Sequence, residues 1–412
     1  MPRHGQELPK SVTLQNLARE VKISIVGQGY VGLPLAIAAS SVGHNVTGID
    51  VNPVLIEKLQ SGLSPIGDLS DHEIAQALAS NNYTATSSFN SVAQSEIVII
   101  CVPTPLNDSR APDYQFVLNA TASIAVHLQP GTLVINESTV SPGDTRKLVG
   151  KALDKSGVIY ELAYSPERID PANKKWGVKN TPKLVSGLTQ SASTRAQKFY
   201  ETFISSVIAG TSLEVIEAAK LLENSFRFIN ISFINEFAQF CEVMQIDVRE
   251  VISAASTKPY GFLPFHPGIG VGGHCIPVDP AYLAAKAREV GAPTKFIDLA
   301  NQVNLSLASY FVGRASLLIG GIKNKKLLVV GIAYKPDVAD MRESSVIELI
   351  KELRSEGARV YWHDELVGEW NGEKSHPLNT NFDLVIIANP HSNTNLAQLS
   401  SIPILDTRGR TK

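Results

Sequence analysis

Three glycines constrain this chain most. Gly27, Gly29 and Gly32 stand in Gly27-Gln-Gly29-Tyr30-Val31-Gly32. The apolar run Lys22-Ile-Ser-Ile-Val26 comes directly before them, and the apolar stretch Leu33 to Ser41 directly after. A short buried-type strand, a glycine turn and a helix make the first half of a βαβ unit. Val46-Thr-Gly-Ile49 supplies the next strand and ends at Asp50. The first glycine permits the tight turn, the second lets backbone approach a pyrophosphate, and the third lets the helix pack on the strand. The helix start then presents free N–H groups and the positive end of its dipole to phosphate.

Asp50 falls where the ribose of such a ligand carries its 2′-hydroxyl. A carboxylate there repels a 2′-phosphate, and Val51 and Asn52 supply no arginine. The pattern therefore predicts NAD rather than NADP, with Tyr30 and Val31 beside it in the turn.

Strand and helix patterns then alternate. Ile97–Cys101, Leu133–Ile135 and Leu184-Val185 read as further strands of a mostly parallel sheet. Thr211-x-x-Glu214 has the form of a capping box. From it, apolar residues recur at helical spacing to about Met244, long enough to bridge domains or form an interface. Glycine and proline fill Pro259 to Pro280, and helical pattern returns from Ala281 to about Ile319. At Lys326 a second α/β unit begins: Leu327–Val330, Gly331, a helix over Ser344–Gly357, then a strand ending near Asp364. The expected fold class is α/β: two Rossmann-like doubly wound domains joined by a long central helix and a helical middle domain. The boundaries are a tail over 1–20, a dinucleotide-binding domain over 21–205, a central helical domain over 206–320 and a second α/β domain over 321–412.

Composition narrows the class. Lysine and arginine nearly balance the acids, for a net charge of -2 across 412 residues. A strongly basic nucleic-acid binder is excluded as the default, and an anionic ligand must be held by local features. The three cysteines, Cys101, Cys241 and Cys275, are too widely spaced for a disulfide framework or a zinc ribbon. No metal site is expected. No apolar run approaches the roughly 18 residues of a membrane span. The first twenty residues lack an apolar signal-peptide core, so a cytoplasmic protein is expected.

Cys275 lies in Gly270-Val-Gly272-Gly-His-Cys-Ile-Pro-Val-Asp279. Glycine-rich backbone leaves room for a substrate and N–H groups for a thiolate. The same cysteine also suits the role of a small buried residue. Lys220, Asn224 and Arg227 share one face of the long helix, either meeting a substrate oxygen or forming a solvated stripe. Ser165-Pro-Glu167-Arg168 follows a short strand, and ligands bind at the carboxyl ends of such strands. The second turn, Gly331-Ile-Ala-Tyr-Lys335, lacks the three-glycine spacing. Lys335 and Arg342 there are either phosphate ligands or surface charge.

Taken together, GQGYVGLPLA, CVPTP, NESTVSPG, AYSPER, EAAKLLENSFR, GVGGHCIPVDP and GIAYKPDVADMRESS resemble the UDP-glucose and GDP-mannose dehydrogenase family from about residue 21 to 408. The resemblance implies oxidation of a nucleotide-sugar C6 alcohol to a carboxylate with two NAD, for surface polysaccharide precursors. It implies a homodimer or higher homo-oligomer, no membrane or nucleic-acid partner, and a nucleotide-holding C-terminal domain. Cys275 is then the nucleophile. Lys220 stabilises the developing oxyanion, Asn224 orients it, and Asp279 holds Lys220 or a water. Glu167 and Thr139 handle the water and protons of hydrolysis, and Thr104 and Thr139 line the NAD site. Lys335 and Arg342 bridge the substrate and NAD regions, Arg342 contributing to the cofactor side, and Arg408 serves a phosphate or interface. Arg168, Tyr260, Phe265 and Gly272 join the substrate contacts.

The UDP-glucose enzymes of this family carry a second glutamate where this chain has Pro171, with Asp170 as the candidate stand-in. Lys258-Pro-Tyr260-Gly-Phe-Leu-Pro-Phe265 resembles the UDP-N-acetylglucosamine subgroup. UDP-N-acetylmannosamine and UDP-glucose stay open as substrates. A two-electron hydroxyacid dehydrogenase would need neither Cys275 nor residues 326–408, and a binding protein without turnover would not need Cys275, Lys220, Asn224 and Asp279 together.

Overall fold

The computed structural model describes residues 20–170, 173, 175–273 and 275–409. The expected tail, apart from Glu20, and Pro171 lie outside the described residues.

The first sheet is built from β1 (Lys22–Val26), β2 (Asn45–Ile49), β3 (Tyr83–Thr86), β4 (Ile97–Ile100), β5 (Leu133–Asn136), β6 (Glu161–Tyr164), β7 (Lys183–Gly187) and β8 (Val207–Ala209). Their order is β3-β2-β1-β4-β5-β6-β7-β8. All neighbours run parallel except β6 and β7. Helices cover both faces, so β4 and β5 are buried throughout and read as continuous apolar runs. One face packs Leu33, Leu35 and Ala36 of the first crossover helix, Gly32–Ser40, against Ile23 and Ile25. The other packs Val117, Ala120 and Ile124 against Val98 and Ile100.

The second sheet has β9 (Lys326–Val330) and β10 (Arg359–His363), then β13 (Leu384–Ile387) and β14 (Ile404–Asp406), in the parallel order β10-β9-β13-β14. A small hairpin, β11 (Glu369–Trp370) with β12 (Glu373–Lys374), lies between them in sequence. In both sheets the strand order reverses beside the first strand, between β1 and β4 and between β9 and β13. Such switch points open a crevice at the carboxyl ends of the strands.

Between the sheets runs the helix Leu213–Val243, 31 residues and so about 46 Å long. Its cap is the Ser212 side chain, which accepts from the Val215 N–H. That is one residue later than Thr211: Ser212 has the extended backbone a cap requires, and its hydroxyl reaches the third N–H of the helix. The helical pattern from Ala281 to Ile319 divides into Asp279–Glu289 and Lys295–Ile319. Gly291 at φ +76° and Pro293 interrupt it.

Candidate active site

One continuous cavity of about 2030 Å³ joins the two switch points. Gly27, Gly29, Tyr30, Val31, Asp50, Thr104 and Thr139 line its first end. Glu167, Arg168, Lys220, Asn224, Arg227, Gly272, Cys275 and Asp279 line its middle. Lys335, Arg342 and His391 line the end formed by the second sheet.

The first end fits a dinucleotide. Gly27 takes φ +96°, and a Cβ there would lie 2.4 Å from the Cys101 carbonyl oxygen, so only glycine makes the turn. A Cβ on Gly29 would meet nothing within 4 Å, which leaves the backbone open to an approaching ligand. The helix that follows has neither a side-chain cap nor an acid in its first turn, so nothing offsets the positive end of its dipole, which is left for phosphate. Gly32 is buried at its start. Asp50 is aimed by its backbone neighbours, accepting from the N–H groups of Gln28 at 2.8 Å and Asn52 at 2.9 Å. Arg342, paired with Asp340, lies over the Tyr30 ring at 5.5 Å and so ties the second α/β unit to the glycine turn.

At the centre, Asn224 Nδ2 donates to Asp279 Oδ2 at 2.6 Å, and Lys220 Nζ lies 3.6 Å from the same oxygen. All three residues are buried. Burial disfavours the Lys220 ammonium, but Asp279, Cys275 and Glu167 together outweigh it and hold its pKa above the ordinary value. The Asp279 N–H donates to the Cys275 carbonyl at 2.9 Å, which fixes the cysteine loop to the start of the helix Asp279–Glu289. Cys275 is solvent-accessible and lines this cavity, whereas Cys101 and Cys241 are buried. Burial among protein atoms pushes the Cys275 thiol up, and Lys220 opposes that shift. A cation beside an accessible thiol and a vacant volume can stabilise an oxyanion formed on carbon attacked by sulfur.

Glu167 stands past the end of β6. Its Oε1 accepts from the N–H groups of Arg168 at 2.6 Å and Ile169 at 2.7 Å, and its Oε2 from Lys183 Nζ at 3.1 Å. Burial raises its pKa, but Lys183 and these N–H groups prevail and hold it below the ordinary carboxylate range.

Some candidates occupy other positions. Tyr260 and Phe265 are absent from the cavity wall: Tyr260 is exposed under Lys258 Nζ, and Phe265 packs edge-on against Phe226. Arg408 also lies off the cavity, paired with Asp406 at 2.7 Å. Arg168 lines the cavity, but its guanidinium is engaged by Glu223 at 2.6 and 3.0 Å and by the Pro182 carbonyl at 2.7 Å, pinning its loop to the long helix. Asp170 pairs with Lys335 at 2.7 Å, a bridge from the first α/β unit to the second. Glu137, Lys183 and Tyr334 were not singled out by the sequence. Glu137 and Tyr334 line the cavity, and Lys183 braces Glu167. Tyr334 covers the glycine loop: a Cβ on Gly273 would lie 2.7 Å from its ring.

Comparison with known proteins agrees with this layout. Three family models match: the NAD-binding domain of the UDP-glucose/GDP-mannose dehydrogenase family over residues 21–204, its central domain over 214–306 and its UDP-binding domain over 328–411. A UDP-N-acetyl-D-glucosamine 6-dehydrogenase of Salmonella typhi is 33% identical over 392 residues, 90% of each chain. The solved structure of a Pyrococcus horikoshii UDP-N-acetylmannosamine dehydrogenase superposes with a TM-score of 0.87 at 29% identity, covering 95% of this chain and 96% of that one. A UDP-glucose dehydrogenase from Pyrobaculum islandicum gives a TM-score of 0.88 at 25% identity, with 97% and 96% covered.

Proposed function

The chain belongs to the UDP-glucose/GDP-mannose dehydrogenase family of NAD-dependent oxidoreductases, and from that premise we propose that it oxidises the C6 alcohol of UDP-N-acetylglucosamine to the carboxylate in two steps. The observation that carries this reading is the continuous cavity between the two sheets. It sets an accessible thiol and a buried ammonium between a dinucleotide turn and the crevice of the second sheet.

Gly27, Gly29, Tyr30, Val31, Asp50, Thr104 and Thr139 would hold NAD, with Arg342 closing over it. NAD, when bound, supplies the hydride acceptor for each oxidation. Lys335 faces the nucleotide of the sugar, in exchange for or alongside its pairing with Asp170. Lys220, oriented by Asp279 and Asn224, holds the C6 oxygen and stabilises it as charge develops. The Cys275 thiol adds to the C6 aldehyde: the S–C bond forms, the carbonyl electron pair moves onto the oxygen beside Lys220, and the thiol proton ends on that oxygen, giving a thiohemiacetal. Loss of hydride to bound NAD and of the hydroxyl proton would then leave a thioester on Cys275. Glu167 takes a proton from a water whose oxygen adds to the thioester carbon; the C–S bond breaks, releasing the carboxylate and the thiol. Thr139 holds that water.

The acetamido sugar is favoured by the resemblance of Lys258–Phe265 to the UDP-N-acetylglucosamine subgroup and by the Salmonella relative. The Pyrococcus relative supports the C2 epimer, UDP-N-acetylmannosamine, as the second reading. NADH formation with UDP-glucose, UDP-N-acetylglucosamine, UDP-N-acetylmannosamine and GDP-mannose decides between them. The highest kcat/KM on UDP-N-acetylglucosamine supports the assignment, and the highest on its epimer replaces it.

A further inference from the structure

Glu137 and Lys183 take no part in the chemistry above, yet both reach it. Lys183 opens β7, where an apolar residue would pack without the desolvation a lysine suffers. Its Nζ lies 2.8 Å from Glu137 Oε2, 3.1 Å from Glu167 Oε2 and 5.3 Å from the Tyr200 ring centre. The Tyr200 hydroxyl donates to the other oxygen of Glu137. The Glu137 side chain is wholly buried, and Lys183 nearly so. One ammonium thus serves two carboxylates: Glu137, wholly buried and held by Tyr200, and Glu167, whose side chain is partly exposed.

We propose that Lys183 is a positioning residue for hydrolysis: its ammonium orients the Glu167 carboxylate and keeps it anionic, able to take the proton of the water that cleaves the Cys275 thioester, while Glu137 and Tyr200 brace the ammonium. This inference rests on the function proposed above. Among the described residues, the ionisable groups that act on or feel Glu167 include Lys183, Glu137, Lys220 and the thiols of Cys101 and Cys275. Among the described residues, Lys183 is the cation within ion-pair distance of Glu167. Lys220 is committed to Asp279, and Arg168 to Glu223. The ion pair and two backbone N–H groups keep Glu167 below its ordinary pKa. Without Lys183 that pKa rises, so the acid limb of hydrolysis moves to higher pH.

The test uses the full chain with NAD and UDP-N-acetylglucosamine. Lys183→Met is expected to keep the pre-steady-state burst of NADH, because both oxidations precede hydrolysis. Its steady turnover is expected to fall by about tenfold or more, with its acid limb displaced upward by about one to three pH units. Intact mass should show an acyl group retained on Cys275. Lys183→Arg, which keeps the charge, should restore most of the turnover and the original limb. Should Lys183→Met fail to fold, Glu137→Gln/Lys183→Met removes the unpaired buried charge and carries the same expectations. An unshifted acid limb with no accumulated acyl-enzyme in a folded variant overturns the proposal. Wild-type protein that forms no NADH from any UDP-sugar overturns the functional reading beneath it, a result seen before any variant is made.

Discussion

Asp50 and Asp364 stand just past the ends of equivalent strands, β2 and β10, and each accepts from the backbone of the turn that follows the neighbouring strand. Asp50 takes the Gln28 N–H at 2.8 Å; Asp364 takes those of Ile332 and Ala333 at 3.0 and 3.2 Å. The turns themselves correspond: Gly27 N–H donates to the Ile49 carbonyl at 2.7 Å, and Gly331 N–H to the His363 carbonyl at 2.8 Å. Their surroundings differ. Asp50 borders the cavity. Asp364 is 2% exposed and also accepts from the Leu366 and Val367 N–H groups and from His391. His391 Nδ1 accepts the Asp337 N–H at 2.8 Å, so the neutral ring donates to Asp364 through Nε2. The second carboxylate is spent on its own loops, which explains how one fold used twice offers one dinucleotide site.

The two aspartates should therefore fail differently. Asp50→Ala is expected to raise KM for NAD by roughly tenfold to a hundredfold, the worth of a charge-assisted hydrogen bond of about 1.5–3 kcal/mol, with little change in melting temperature. Asp364→Ala orphans buried N–H groups and should destabilise the protein by about 3 kcal/mol or more without altering KM for NAD. Calorimetry and NAD titration of both variants check this. The Asp364 pKa is depressed: burial raises it, but His391 and the backbone N–H groups outweigh that. Its contribution is thus present above the unfolded value of about 3.9 and lost as pH falls through the folded value.

Cys275 should be a slow thiol in the free enzyme. Burial raises its pKa, and Lys220 restrains the rise. Its alkylation by iodoacetamide, followed by peptide mass, is expected to climb with pH through and beyond the usual thiol value of about 8.5. Lys220→Met should displace that climb further upward and reduce kcat by roughly a hundredfold to a thousandfold. Alkylation already maximal at neutral pH would contradict the environment described for this thiol.

The long helix presents Phe226, Phe233 and Phe240 at seven-residue spacing, with Leu222 four residues ahead, all exposed in the single chain. An apolar seam of that period seeks a partner helix. We expect a homodimer packed along it. Sedimentation equilibrium should give twice the chain mass of 44.4 kDa at micromolar concentration. Phe233→Asp/Phe240→Asp should shift it towards monomer.

The glycine turn, Asp50 and the long helix were legible because each rests on local spacing, and the grouping of Lys220, Asn224, Asp279 and Cys275 only through the family resemblance. Lys183 was not. It meets Glu137 across 46 positions and Tyr200 meets Glu137 across 63, distances that only the adjacency of strands closes. A buried lysine opening a strand that otherwise carries no charge, Lys183-Leu-Val-Ser-Gly187, was the available signal. Tyr260 and Phe265 were drawn to the site by motif alone, yet the chain turns them towards the long helix and solvent. Asp170 was adjacent in sequence to the missing second glutamate, but Lys335 from the other sheet claims it.

The central claim is that Cys275 carries the sugar covalently through the second oxidation. Counting NADH formed per sugar consumed, for wild type and Cys275→Ser side by side, tests it most directly. The account predicts two NADH per sugar for wild type, and for Cys275→Ser at most the first oxidation with steady uronate production lost. Undiminished uronate formation by Cys275→Ser would contradict it.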